Sequence, residues 1–343
     1  NERFIYNDKI IEDNKLADLL NEIEEINKGQ PLTYFEALTA AFFHGCRNYK
    51  DNIVLAEFGL FGRGDAVNIL KKNLCNIITS CSEDHLEWLP ENDRNIERII
   101  FEKTSSLLES NIIVAKQSSK EIVECIKKNI SNNKANKYFF NEDYNFVSME
   151  NDFFYYEDKY GSLKIPKPGM SGQFQLENAS AAIVSLRVLE NLKIRDEQII
   201  KGIKNAYNSA RLEEIKSGKL KDLVKNNKLI IDSSHNPGGS KAINEYLQTL
   251  NCNKHVIVGM MENKDHEKFI NHFKNISSLT VIDIPNQTNA ISGKKLKEKF
   301  KKFKNLNYVK NIEQALKALQ LEKNDIILIT GSIYLAGEMF NLN

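Results

Sequence analysis

No stretch of this 343-residue chain is apolar for long enough to span a bilayer, and no leader peptide opens it. Cysteine is sparse, in a pattern expected of a cytoplasmic protein. Cys46, Cys75, Cys81, Cys125 and Cys252 are scattered with no Cys-x-x-Cys pair, and an odd, dispersed set suits reduced thiols. Neither sign of charge is in excess: 47 Lys and Arg against 46 Asp and Glu leave a formal net charge of +1. That balance gives no reason to expect nucleic acid or an anionic membrane as partner. Internal repeats and long low-complexity segments are missing too. No segment matches Gly-x-x-x-x-Gly-Lys-Ser/Thr, and the nearest piece, Gly293-Lys294-Lys295, lacks the upstream glycine, so these residues hold no phosphate loop.

What is present is enough for real cores: 41% of residues are hydrophobic, in a chain of two-domain length. The pattern predicts an α/β protein. Residues 1–11 read as a short strand pair around Asn7-Asp8. Asp13 or Asn14 can cap a helix over 16–27, and Thr33 with Glu36 forms a capping box for the next. Ile53–Ala56 reads as a buried parallel strand, followed by strands at Ile77–Cys81 and Asn111–Ala115 and helices at 95–108 and 121–131. Residues 138–167 are aromatic-rich and alternating, with turns at Asn151-Asp152 and Tyr160-Gly161, as in a small antiparallel sheet. Helices follow at 178–191 and 196–207. The domain boundary is expected near 208–213, giving domains 1–207 and 208–343. Beyond it, strands at 229–232, 256–260, 279–283 and 326–330 alternate with helices, the signature of a doubly wound parallel domain.

Chemistry-bearing residues gather at strand ends, where ligands bind in open α/β sheets. Glu57 closes the first predicted strand, ahead of Gly59, Gly62 and Gly64. Ser82-Glu83-Asp84-His85, with Glu87 and Trp88, closes the second. Asp232-Ser233-Ser234-His235-Asn236-Pro237-Gly238 carries the chain from a strand into a helix. Taken singly, each also fits a blander role: a solvated turn at Glu57, an Asx turn with a capping duty at Asp232, core packing at Trp88.

Together, these residues resemble the folylpolyglutamate synthase and dihydrofolate synthase family, relatives of the Mur ligases, over almost the whole chain. Thr33-Tyr34-Phe35-Glu36 with Thr39-Ala40 looks like the family's T-x-F-E helix. The segment Glu57 to Asn68 looks like E-V-G-L-G-G-R-x-D-A-T-N, and Asp84-His85-Leu86-Glu87-Trp88-Leu89 like D-H-T-D-W-L, a form associated with bifunctional bacterial enzymes. Glu102-Lys103 matches the E-K pair, and Gly172 to Ala179 resembles the segment ending Q-x-x-N-A. Ala210-Arg211-Leu212-Glu213 resembles P-G-R-x-E, Asp232 to Pro237 matches D-x-A-H-N-P, Lys264-Asp265 the K-D pair, and Thr330-Gly331-Ser332 the T/C-G-S strand end. Departures are Phe61 and Ala210, each in place of a glycine, Val67 for a threonine and Ser234 for an alanine. Phe61 is expected to reshape the pterin end of the site or to relax its specificity.

The resemblance implies a Mur-ligase-like ATPase domain ahead of a Rossmann-like glutamate ligase domain. It implies ATP-dependent ligation of L-glutamate to dihydropteroate or to the γ-carboxylate of a folate, through an acyl phosphate. Glu57 and His85 would be Mg²⁺ ligands, and Lys103 would be the lysine that is carbamylated in relatives. Asn178, Arg211, Asp232 and His235 would contact ATP, with Lys103, His235 and Arg211 serving the chemistry. Glu83, Asp84, Glu87 and Trp88 would line the pterin pocket of a protein acting as a monomer. Another Mur-type amide ligase, or a non-catalytic remnant lacking the phosphate loop, stays open as an alternative. In the family a strand, a phosphate loop and a helix precede a segment resembling S-P-H-L-x-x-x-x-E-R-I, and Glu2-Arg3-Phe4 stands at the start here. The expectation is therefore a natural protein longer at its N-terminus. Residues 1–343 alone would turn over no ATP, and segments such as 53–57 would have unpaired backbone groups.

Overall fold

Apolar runs and capping residues build two compact units in the computed structural model, which describes residues 4–7, 9–50, 52–149 and 152–343. Glu2 and Arg3, Asp8 of the first predicted turn, Asp51, and Asn151 of the hairpin turn lie outside the described residues.

The first unit comprises Asn1–Asn73 and Phe101–Leu108. Strands β1 (Ile5–Tyr6) and β2 (Lys9–Ile10) pair antiparallel. Helix α1 (Asp13–Asn27) starts at Glu12, which makes no side-chain cap, so neither Asp13 nor Asn14 caps it. Asp13 sits inside the first turn, where its charge favours the helix dipole. Helix α2 (Tyr34–Cys46) has the predicted capping box: Thr33 Oγ1 accepts from Glu36 N at 3.2 Å, and Thr33 N donates to Glu36 Oε2 at 2.8 Å. Leu19 and Ile23 of α1 meet Leu38 and Ala41 of α2, with Phe4 and Ile11 closing this core. The predicted strand Ile53–Ala56 does not form. No strand among the described residues pairs with it, and Leu55 is 90% exposed. An apolar run becomes a strand only where a neighbour takes up its N–H and C=O groups.

The second unit comprises Leu74–Ile100 and Glu109–Asn343. Strand β3 (Cys75–Ile78), helix α3 (Ile96–Thr104, which crosses into the first unit), strand β4 (Asn111–Val114), helix α4 (Lys120–Asn129) and strand β5 (Lys137–Phe139) give a parallel sheet in the order β3-β4-β5. β3 stops at Ile78, three residues short of expectation, because the Gln117 side chain takes over the next backbone groups: it donates to Thr79 O and Ala115 O and accepts from Cys81 N. Strands β6 (Tyr144–Ser148), β7 (Phe153–Asp158) and β8 (Gly161–Pro166) form the antiparallel sheet. Its inward residues Phe154, Tyr156 and Ile165 pack on helices α5 (Phe174–Arg187) and α6 (Asp196–Lys204) through Ile183 and Ile199.

Then come β9 (Glu213–Ile215), α7 (Lys219–Leu223), β10 (Lys228–Ile231), α8 (Pro237–Gln248), β11 (Lys254–Val258), α9 (His266–Asn271), β12 (Ser278–Val281), α10 (Gly293–Lys299), β13 (Leu306–Tyr308), α11 (Ile312–Ala318), β14 (Ile326–Thr330) and α12 (Ile333–Leu342). The sheet order is β13-β12-β11-β14-β10-β9, parallel except for β9. α8, α9 and α10 cover one face through Ile243, Phe269 and Leu296, while α7, α11 and α12 cover the other through Leu220, Leu316 and Leu335. The doubly wound arrangement is thus as predicted, with β9, β13 and α7 added.

Candidate functional site

At the carboxyl edge of the six-stranded sheet, β10 runs out into Asp232. Its buried carboxylate is fully employed, Oδ1 accepting from Ser234 N at 2.8 Å and Oδ2 from Leu212 N at 2.9 Å. Burial still pushes its pKa above the usual carboxylate value. By holding Leu212 and Ser234, Asp232 fixes the two segments that carry Arg211 and His235. Arg211 is exposed and lies between two residues with left-handed backbone, Ala210 (φ 53°) and Leu212 (φ 48°). Glu213 steadies the turn, accepting from Ala210 N at 2.8 Å and Tyr207 Oη at 2.7 Å. From β14, Gly331 N donates to Ser234 O at 3.0 Å. Gly331 has φ 112°, and a side chain there would drive into Gly259 O, so glycine is required.

Asn236 then caps α8, its Oδ1 accepting from Gly239 N at 2.8 Å, while its Nδ2 donates to Asp84 Oδ2 at 2.7 Å. This draws the β3 strand-end loop into the same site. Asp84 also receives Lys264 Nζ at 3.2 Å and the His85 N–H at 2.8 Å. His85 Nε2 and His235 Nε2 each lie 3.8 Å from Asp84 Oδ2. Burial raises the Asp84 pKa, but the Asn236 amide and the His85 and Lys264 charges outweigh it, holding the carboxyl below its usual range. His235 is pushed down by burial first and by the Lys264 charge second, so it favours the neutral form. Glu83 pairs with Lys268 at 2.7 Å, and Glu87 accepts from Asn263 at 3.2 Å. Trp88 ends a 3₁₀ turn and is 67% exposed, a surface placement rather than core packing. Of the residues expected to act together, Asp84, His85, His235, Asp232 and Arg211 share this cluster. Asn178 is held instead within α5, donating to Gln175 at 3.2 Å. Asn236 and Lys264 lie in the quoted motifs, yet their link to Asp84 joins positions more than 150 apart and has no local signal. Gln117 had none at all.

The first unit holds its own constellation. Asp65 organises the loop after Glu57, its carboxylate accepting from Leu60 N at 3.0 Å and Val67 N at 2.9 Å. Three contacts tie this loop to α3 and the residues after it. Arg63 makes a bidentate pair with buried Glu102 at 2.7 and 2.8 Å. Lys103 Nζ donates to Leu60 O at 3.2 Å, and Asn68 Nδ2 donates to Ser106 Oγ at 2.9 Å. A Cβ on Gly62 would stand 3.0 Å from Lys103 O, so glycine lets the two backbones approach. Glu57 is exposed. Among the described residues no three His, Cys, Asp or Glu side chains form a ready-made cation cage. An isolated carboxylate fits Mg²⁺, which keeps several of its own waters and takes few protein ligands.

A family model, the Mur ligase glutamate ligase domain, matches residues 211–333. The chain is similar to the dihydrofolate synthase/folylpolyglutamate synthase of Bacillus subtilis, 26% identical over 364 residues, which covers 99% of this chain and 80% of that protein. Among solved structures it resembles Escherichia coli FolC in complex with ADP, with a TM-score of 0.84 and 22% identity over 97% of this chain and 77% of the other. It also resembles the bifunctional folylpolyglutamate synthase/dihydrofolate synthase of Yersinia pestis complexed with AMPPNP and Mn ion, with a TM-score of 0.83 and 21% identity over 97% and 77%.

Proposed function

Since the chain belongs to the folylpolyglutamate synthase and dihydrofolate synthase family of Mur-type ligases, we propose that it joins L-glutamate to dihydropteroate, or to the γ-carboxylate of a folate, at the expense of ATP. One observation carries the reading: similarity to a synthase over 99% of the chain coincides with matched motifs that gather around Asp84 at two strand ends. On this reading residues 1–207 form the ATP and pterin domain and 208–343 the glutamate ligase domain. The protein works as a monomer in the cytoplasm.

The substrate carboxylate attacks the γ-phosphorus of ATP, and the bond to ADP breaks. The amine of glutamate then attacks the acyl carbon, phosphate leaves, and the amine loses a proton. The conversion of an oxide leaving group into phosphate lowers the barrier, so the protein's task is to position partners and balance charge. Arg211, always charged and in no ion pair among the described residues, grips phosphate oxygens. Asp232 aims it through the Leu212 N–H. His235, kept neutral, can accept the amine proton. Asn178 contributes to the nucleotide site. By the motif match, Glu57 and His85 would be the residues that hold a divalent cation, for which the carboxylate is the better suited donor. That cation neutralises phosphate charge when bound. Lys103, placed beside Leu60 O, is the site of carbamylation. Glu83, Asp84, Glu87 and Trp88 border the pterin, with Trp88 offering an exposed ring face.

The test is phosphate release from ATP by the full-length protein that requires both L-glutamate and a pteroate or folate, compared with Glu57→Ala. Glutamate-dependent release with dihydropteroate or folate, lost in Glu57→Ala with an unchanged circular dichroism spectrum, is expected. Release with neither pterin, or with a uridine-nucleotide acceptor instead, would replace this reading with another Mur-type ligase.

A further inference from the structure

The near-neutral total conceals one uneven stretch. From Lys294 to Lys310 there are eight lysines and a single acid, Glu298. The stretch carries +7 in a chain whose total is +1, so the other residues together carry −6. All eight lysines are exposed. Among the described residues none of them makes an ion pair. The apolar residues of the same stretch point elsewhere: Leu296 and Phe300 are buried in the core under the sheet. Lys295 and Lys299, one helical turn apart, repel one another, a cost that a bound anion relieves.

The loop that leads into this face is tied to a segment of the site. The loop entering α10 pairs with the segment that precedes Asn263 and Lys264: Met261 bridges Ala290, Glu262 N donates to Asn289 O at 2.9 Å, and Ile291 N donates to Met260 O at 3.1 Å. Asp283 anchors the helix start, accepting from Gly293 N at 2.7 Å and from Tyr308 Oη at 2.8 Å. These bonds join the start of the lysine stretch to the segment that carries Lys264, which reaches Asp84.

We propose that the lysine face of α10 and the turn after it binds the oligo-γ-glutamyl tail of the folate. The inference rests on the ligase reading above. Each γ-linked glutamate leaves its α-carboxylate free, so the tail is a flexible chain of regularly spaced anions. Unpaired ammonium groups on long stems match such a ligand better than a fixed fork would. A membrane surface is disfavoured because the exposed face has no apolar row to insert, and single-stranded nucleic acid because it has no free aromatic ring for base stacking. The balanced total charge, which gave no reason to expect a polyanion, had averaged this patch away.

The experiment is titration calorimetry of pteroylmonoglutamate and pteroylpentaglutamate at two salt concentrations. It compares the protein with the variant Lys294→Gln, Lys295→Gln, Lys297→Gln, Lys299→Gln. Four exposed neutralisations should leave folding intact. The pentaglutamate should bind about ten-fold more weakly to the variant, with a flatter salt dependence, while monoglutamate affinity stays the same. Equal effects on both ligands, or none on either, overturn the proposal and leave the ligase reading standing. If neither folate binds the unmodified protein, both readings fall. Tighter binding of a single-stranded RNA oligonucleotide or an anionic vesicle, lost in the variant, also overturns it by assigning the patch to that partner.

Discussion

Removing Lys264 should loosen the loop that carries Asp84 and raise the pKa of His235. Lys264 Nζ lies 3.2 Å from Asp84 Oδ1, and the two side chains are 12% and 20% accessible. Unit charges at that distance attract by about 5 kcal/mol at an effective dielectric of 20, and by about 1.3 kcal/mol in water. Desolvation of both groups cancels much of the larger figure. Asn236 and the His85 N–H would continue to hold Asp84 in the variant. A net coupling of about 1–2 kcal/mol is therefore expected. The measurement is a double-mutant cycle of Lys264→Met and Asp84→Asn by urea denaturation, with His235 followed by NMR titration. The sign of the second readout is fixed: Lys264 disfavours imidazolium, so its loss raises the His235 pKa and protonates it at higher pH. Asp84, held below its usual range, stabilises the fold above that range and loses the contribution as pH falls through its folded value. Additive effects within about 0.3 kcal/mol and an unmoved His235 titration would refute the argument that these groups form one electrostatic unit.

Lys103→Ala should lose ligation and regain part of it with a short carboxylate such as acetate; full activity without acetate would leave Lys103 only its bond to Leu60 O. The fold should weaken as pH falls below the usual histidine value of about 6.5, because burial lowers the pKa of both His235 and His266, and neutral imidazole is the form that the folded state favours. That stability is complete above the usual histidine value and is lost as pH falls through the folded ones. Asp232, raised by burial, works in the opposite sense, so the urea midpoints are best compared with those of His266→Gln, whose pH dependence should be shallower. Equal slopes would remove His266 from the account.

What the sequence made legible is local or continuous. The capping box at Thr33 and Glu36 is complete within four residues, and β10, β11 and β14 carry short apolar runs, at 229–231, 256–258 and 326–329, that suit buried parallel strands. β9 and β13 escaped because three-residue edge strands such as Glu213–Ile215 carry almost no pattern. Ile53–Ala56 misled for the opposite reason: its pattern suits a strand, but pairing is a property of neighbours. The site divides in the same way. Its residues were legible as motifs, while the joining of Asp84 to Asn236 and Lys264 was not.

Ala210 shows how far such reading extends. The motif flagged it as standing where relatives carry glycine, and its φ of 53° supplies the reason that glycine belongs there. An alanine in this conformation costs about 1–2 kcal/mol. Its methyl, however, is buried in the core with Leu229 and Ile231, which returns about 0.8 kcal/mol, and alanine also spares about 0.5–1 kcal/mol of the chain entropy that glycine loses on folding. The terms nearly balance, so the substitution can persist without displacing Arg211, which is held from both sides by Glu213 on Ala210 N and by Asp232 on Leu212 N. A departure from the motif is therefore not by itself a departure from function: here two carboxylates fix the backbone that a glycine would merely permit.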